Sequence, residues 1–119
     1  MNEILIRGLR VQVFVGVPDA ERAVPQELIV DVTIEPMVRF GDLHDDISRT
    51  VDYAAAAARV SDVARERPRR LIETLADEIA RMLLEEFPVR SALVEIRKFV
   101  LPETDHVSVR CRIERDGVD

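Results

Sequence analysis

A chain of 119 residues, 47% hydrophobic and 34% charged, has the size and apolar content of one folded domain spanning residues 1–119. Its formal net charge of −6 argues against a nucleic-acid or anionic-membrane partner, because phosphate binding wants a basic excess. No apolar run reaches bilayer length, no leader pattern opens the chain, and a lone Cys111 excludes an internal disulfide, so a cytoplasmic setting is expected.

Residues 3–15 read as a long strand. Leu5, Leu9, Val11, Val13 and Val15 share one face, interrupted by Arg7, while Arg10, Gln12 and Phe14 take the other. Gly16 and Pro18 break it, and Glu21 falls in the connection that follows. Residues 27–35 alternate again, with Leu28, Val30, Val32 and Ile34 against Glu27, Ile29, Asp31, Thr33 and Glu35. The two strands are expected to pair as an antiparallel hairpin with a long loop. Residues 36–50 are irregular and acidic, containing Asp42, Asp45 and Asp46, but their spacing is not that of a calcium loop.

A helix is predicted from Thr50 or Asp52, either of which can cap it, to Arg67, with Pro68 marking its end. The run Ala54–Ala58 combines helix propensity with little bulk, which permits close approach to a sheet. Tyr53, the only tyrosine, sits in the first turn, where its ring either packs on the core or reaches beyond the helix. A second helix is predicted from Pro68 or Arg70 to Glu86. Leu71, Ile72, Leu75, Ile79, Met82 and Leu83 form its apolar stripe, which is core. Glu73 lies on the flank of that stripe, near the positive end of the helix dipole, and is either a solvated carboxylate or one that meets a ligand or another chain.

The strand predicted at 92–100 holds the single lysine of a chain whose sixteen other basic residues are arginine. Alternation puts Lys98 in the apolar row with Val94, Ile96 and Val100. Two readings follow. The side chain snorkels to water from a strand end, or it is desolvated, with a lowered pKa, and moves protons as a guanidinium cannot. Residues 102–105 turn, and a last strand covers 106–115, with Val107, Val109, Cys111 and Ile113 on one face. Two histidines on unrelated segments and one cysteine are a poor ligand set, so no metal is expected.

The order β-β-α-α-β-β predicts an α+β domain, a four-stranded antiparallel sheet with both helices on one face. Such an open sheet leaves two unpaired edges, which closure of several sheets into a ring would remove, so a homo-oligomer is expected.

Four stretches carry a resemblance. Gly16 to Arg22 with Gln26, Thr50-Val51-Asp52-Tyr53, Leu71 to Ala76, and Val94 to Lys98 resemble dihydroneopterin aldolase in order and spacing across nearly the whole chain. The resemblance implies a tunnelling fold, in which four subunits join their sheets into a barrel and two rings usually stack into an octamer, with active sites between subunits. It implies retro-aldol cleavage of a reduced pterin, 7,8-dihydroneopterin, to 6-hydroxymethyl-7,8-dihydropterin and glycolaldehyde, a step toward folate that needs neither metal nor organic cofactor. It also implies roles. Glu73 grips the pterin 2-amino and N3 groups, beside the backbone of Ile72. Lys98 moves protons, and Tyr53 of a neighbouring chain protonates the intermediate. Glu21 sits near the substrate side chain.

The chain departs from the family where Phe99 replaces the usual proline after the lysine, Val15 the usual His or Tyr, and Pro25 the usual glycine. Dihydroneopterin triphosphate epimerase, a sister branch, also lacks the Lys-Pro pair. Epimerisation, or pterin binding by an oligomer without catalysis, are the alternatives. The balance of cleavage to epimerisation, free triol against triphosphate, and tetramer against octamer are open at this point.

Overall fold

The computed structural model describes residues 1–116. Four strands form one antiparallel sheet in the order β1-β2-β3-β4: β1 (Ile4–Val13), β2 (Gln26–Pro36), β3 (Val89–Lys98) and β4 (Val107–Glu114). Helices α2 (Tyr53–Arg65) and α3 (Ile72–Glu86) lie between β2 and β3 in the chain, and a one-turn helix α1 (Asp19–Arg22) lies in the first hairpin. The predicted order holds, with that extra turn. Among the described residues no helix is long and apolar enough to cross a membrane.

The core sits between the sheet and the two long helices. α2 covers β1, α3 covers β3 and β4, and the two helices touch each other. The sheet's inward row, including Val11, Val13, Leu28, Val30, Val32, Ile34, Ala92, Val94 and Ile96, is fully buried. It meets Ala56, Val60 and Ala64 of α2 and Leu75, Ala76, Ile79 and Leu83 of α3 within the same core. The small alanines of α2 let that helix settle close, and burial of each large aliphatic side chain contributes about 1.5–3 kcal/mol. Asp52 caps α2, accepting from the amides of Ala54 and Ala55 at 3.1 and 3.2 Å. Thr50 is not the cap. Helix α3 starts at Ile72, later than Pro68 or Arg70, because residues 68–71 are drawn out along the end of β1.

β1 corrects the alternation read from sequence. Ile6 pairs with Val32 and Leu9 with Val30, so three steps on β1 oppose two on β2, a bulge around Gly8. Gly8 has φ +72°, and its amide donates to Asp31 Oδ1 at 2.7 Å. The extra residue changes the phase. Ile4 and Ile6 pack inward before it, Leu9, Val11 and Val13 after it, and Leu5 is left exposed. Arg7 no longer interrupts an inward row. Asp31 is buried on the opposite face and is also held by Arg97 Nη2 at 2.9 Å. β3 ends at Lys98, two residues short of the predicted limit, so Val100 leaves the row and is half exposed.

Candidate active site

Lys98 is the last residue of β3, and it continues the inward row of Val94 and Ile96. The lysine stem stays against protein, with only 13% of the side chain exposed, and its Nζ lies 2.8 Å from Glu21 Oε2. The ammonium therefore does not snorkel into open water. It ends in an ion pair with a residue 77 positions earlier.

The loop between β1 and β2 is built to deliver that carboxylate. Glu21 lies in the turn of α1, and Arg22 Nη1 donates to the carbonyls of Gly16 and Val17 at 2.8 and 3.1 Å, while its Nη2 meets Asp19 at 2.5 Å. One guanidinium thus ties the turn of α1 back to the start of the loop. Gln26 Nε2 donates to the Val15 carbonyl at 2.8 Å and to Glu21 Oε2 at 3.3 Å. The Glu21 side chain lies directly over Gly16. A Cβ on that residue would stand 2.5 Å from Glu21 Cδ and 2.7 Å from Cγ, and Gly16 has φ +153°, in the region that favours glycine. The hydrogen bond from Lys98 holds the Glu21 carboxyl below the usual glutamate range; partial burial opposes this, and Gln26 reinforces it.

A second segment meets this loop from the helix layer. The Arg69 amide donates to the Phe14 carbonyl at 3.0 Å, and the Gly16 amide donates to the Arg69 carbonyl at 3.1 Å. That short parallel bridge brings the start of α3 alongside Gly16. Ile72 is buried, with its side chain in the core. Leu71 is at the cap position, and among the described residues no side chain caps the leading amides of α3. Glu73 follows in the first turn, exposed, with no hydrogen bond or ion pair among the described residues.

Tyr53 stands apart. It opens α2, is 63% exposed, and no hydrogen bond or ion pair joins it to Lys98, Glu21 or Glu73. The first-turn position read from sequence is correct, and the ring does not pack into this chain's core. The structure thus joins Lys98 to Glu21, brings the Ile72–Glu73 turn to the same loop through Arg69 and Gly16, and leaves Tyr53 facing outward. Sequence reasoning passed over Gly16 as a cradle, and Arg22 and Arg69 as ties. A glycine followed five residues later by the loop glutamate was the one available signal for the first; arginines spread along the whole chain gave none for the others. Among the described residues no three His, Cys, Asp or Glu side chains gather as a metal cluster.

Comparison with known proteins matches this arrangement at the level of the whole chain. A model of the dihydroneopterin aldolase family matches residues 4–112. Dihydroneopterin aldolase of Streptomyces coelicolor is 33% identical over 104 residues, covering 87% of each chain. The crystal structure of a Burkholderia dihydroneopterin aldolase bound to guanine superposes with a TM-score of 0.80 at 26% identity, over 97% of this chain and 92% of that one. The Escherichia coli dihydroneopterin aldolase in complex with neopterin shares the fold, with a TM-score of 0.87 over 95% and 99% of the two chains at 24% identity. The sheet with its two helices thus has the tunnelling fold of these proteins. Matched in sequence along all but its two ends, and in fold along nearly its full length, the chain belongs to the dihydroneopterin aldolase family.

Proposed function

We propose that this protein cleaves 7,8-dihydroneopterin by a retro-aldol reaction, releasing glycolaldehyde and 6-hydroxymethyl-7,8-dihydropterin on the way to folate. The observation that carries the reading is the Lys98–Glu21 pair, an amine with little access to water held at 2.8 Å by a carboxylate at the mouth of the β1–β2 loop. Cleavage needs a proton taken from the side-chain hydroxyl whose carbon becomes the aldehyde. It then needs a proton given to the carbon left on the ring. The electron pair of the broken C–C bond enters the pterin ring, so no Schiff base to Lys98 is required. Lys98 and Glu21 are suited to the first transfer, directly or through an ordered water, as a coupled acid–base pair. Glu73, exposed and unpaired, has both carboxylate oxygens open to the pterin 2-amino and N3 donors, a planar two-point match. The backbone of Ile72 lies next to it for the ring.

Tyr53 fits this scheme from a second copy of the chain. Its hydroxyl has no partner here, and the outer edges of β1 and β4 have no strand partner among the described residues. A ring of copies pairs those edges and carries a phenol to the site of its neighbour, where it protonates the ring-attached carbon. The proposed assembly is a tetramer or octamer of 13.5 kDa chains, and light scattering measures it directly.

The decisive assay incubates the protein with 7,8-dihydroneopterin and, separately, with its triphosphate, and resolves the products by chromatography. Stoichiometric glycolaldehyde supports the reading. Release of the 2′-epimer alone replaces it with an epimerase, and pterin binding without either product reduces the protein to a carrier.

A further inference from the structure

Arg69 is buried, with only 2% of its side chain exposed, in a chain that keeps most of its arginines at the surface. A guanidinium cannot shed its charge, so burial is tolerated only when its donors are matched. Here they are. Nε and Nη2 both donate to Glu78 Oε2, at 2.9 and 2.6 Å. Nη2 also donates to the Val63 carbonyl at 2.9 Å, and Nη1 to the carbonyls of Ala64 and Arg67 at 3.3 and 2.9 Å. All five N–H donors are taken.

The partners are the telling part. Val63 and Ala64 are in the last turn of α2, where carbonyls lack helical partners and a cation is favoured. Glu78 is in the second turn of α3. The backbone of the same residue pairs with Phe14 and Gly16 at the end of β1. One residue therefore ties the end of one helix, the flank of the next and the glycine beneath Glu21. Three residues beyond it stands Ile72, and then Glu73. None of these contacts reaches Lys98, and none of the groups Arg69 touches is a proposed substrate ligand.

We propose that Arg69 is a positioning residue, which sets the first turn of α3, with Ile72 and Glu73, at a fixed distance from the Gly16–Glu21–Lys98 cluster. The inference rests on the reading of Glu73 and Ile72 as the pterin-holding groups. Loss of the tie lets the 69–73 segment drift and loosens the grip on the ring. Lys98 and Glu21 keep their own contacts, so proton transfer in a bound substrate changes little.

The test uses two variants of the full chain. Arg69→Met keeps a similar stem and removes every donor. Glu78→Gln weakens the tie while leaving Arg69 its three carbonyl acceptors, and so serves if the first variant folds poorly. For the folded fraction, the expected result is a KM for dihydroneopterin raised about tenfold with kcat within about twofold of the parent, the pattern of lost uniform binding. Arg69→Lys, a single ammonium in place of the fork, restores only part of the affinity. Hydrogen exchange supplies a readout that does not depend on activity: the Gly16 amide, bonded to the Arg69 carbonyl, should exchange about tenfold faster in Glu78→Gln. Unchanged KM together with unchanged Gly16 exchange overturns the proposal. So does a fall in activity that follows only the loss of folded protein. Faster Gly16 exchange in a protein whose parent form neither binds nor cleaves pterin keeps the tie and rejects the functional reading instead.

Discussion

Replacing Gly16 with alanine tests the geometry of the cluster with one methyl group. The new Cβ would stand 2.5 Å from Glu21 Cδ, against 3.4 Å for an ordinary contact, so the carboxyl carbon must withdraw by about 0.9 Å. The backbone itself, at φ +153°, is strained for any L side chain, at a cost of about 1–3 kcal/mol. A shift of that size does not leave the 2.8 Å contact with Lys98 at hydrogen-bond length. Two effects follow. Urea unfolding at matched protein concentration should move its midpoint down by about 1 M, the strain divided by a typical slope for a small domain. Steady-state cleavage should lose about a hundredfold in kcat/KM, the usual effect of misplacing a reacting group by about 1 Å. The loss should sit mainly in kcat, because the added methyl group meets the Glu21 side chain and not Ile72 or Glu73, the proposed pterin-holding groups. A Gly16→Ala protein that unfolds at the parental midpoint and turns over at the parental rate would refute the placement of Glu21 over this glycine. Lower stability with full activity would refute its part in proton transfer.

The remaining predictions concern the same groups. Glu21 has a depressed pKa in the folded protein, so its contribution to stability is complete above the ordinary glutamate value of 4.5 and is lost as pH falls through the lowered one. Glu21→Gln should therefore cost stability near neutrality, and the gap to the parent should close in acid; a gap that persists down to about pH 2 contradicts the assignment. Lys98→Ala should lower cleavage by about 10²–10⁴-fold while pterin binding stays measurable, and equal loss of both would show that it is not the proton carrier. Glu73→Ala should weaken pterin binding by at least about tenfold, since it removes charge-assisted hydrogen bonds, with little change in melting because the side chain is exposed and unpaired; an unchanged dissociation constant removes Glu73 from the site. Tyr53→Phe should slow product formation without altering stability, and its activity should be restored in part by mixing with Lys98→Ala chains, because each assembly then holds some intact sites. Failure of mixed assemblies to recover activity, under conditions where the chains exchange, would place Tyr53 and Lys98 on the same subunit.

Much of the frame was present in the order of residues. The alternation of Leu28, Val30, Val32 and Ile34 admits one strand and one inward face, because side chains on a strand point to opposite sides in turn. The stripe of α3 and the cap at Asp52, one of two candidates, are likewise local; the stripe stands from Ile72 to Leu83, but Leu71, read as core, precedes the delayed helix start and is exposed. The unusual residue, one lysine among sixteen arginines, marked itself by composition and by its place in an apolar row. Tertiary structure decided what depends on contacts distant in sequence. Periodicity carried through Gly8 puts Leu5 inside, whereas a bulge anchored by Asp31, 23 residues away, turns it out. No local rule pairs Lys98 with Glu21, and no local rule buries Arg69, whose charge is tolerated only because the last turn of α2, the Arg67 carbonyl and Glu78 on the flank of α3 converge on it. Propensity and periodicity act over a few bonds, so they set elements and faces. The meeting of charged groups at the ends of those elements is set by how the sheet and helices pack, and there the chemistry of this protein is assembled.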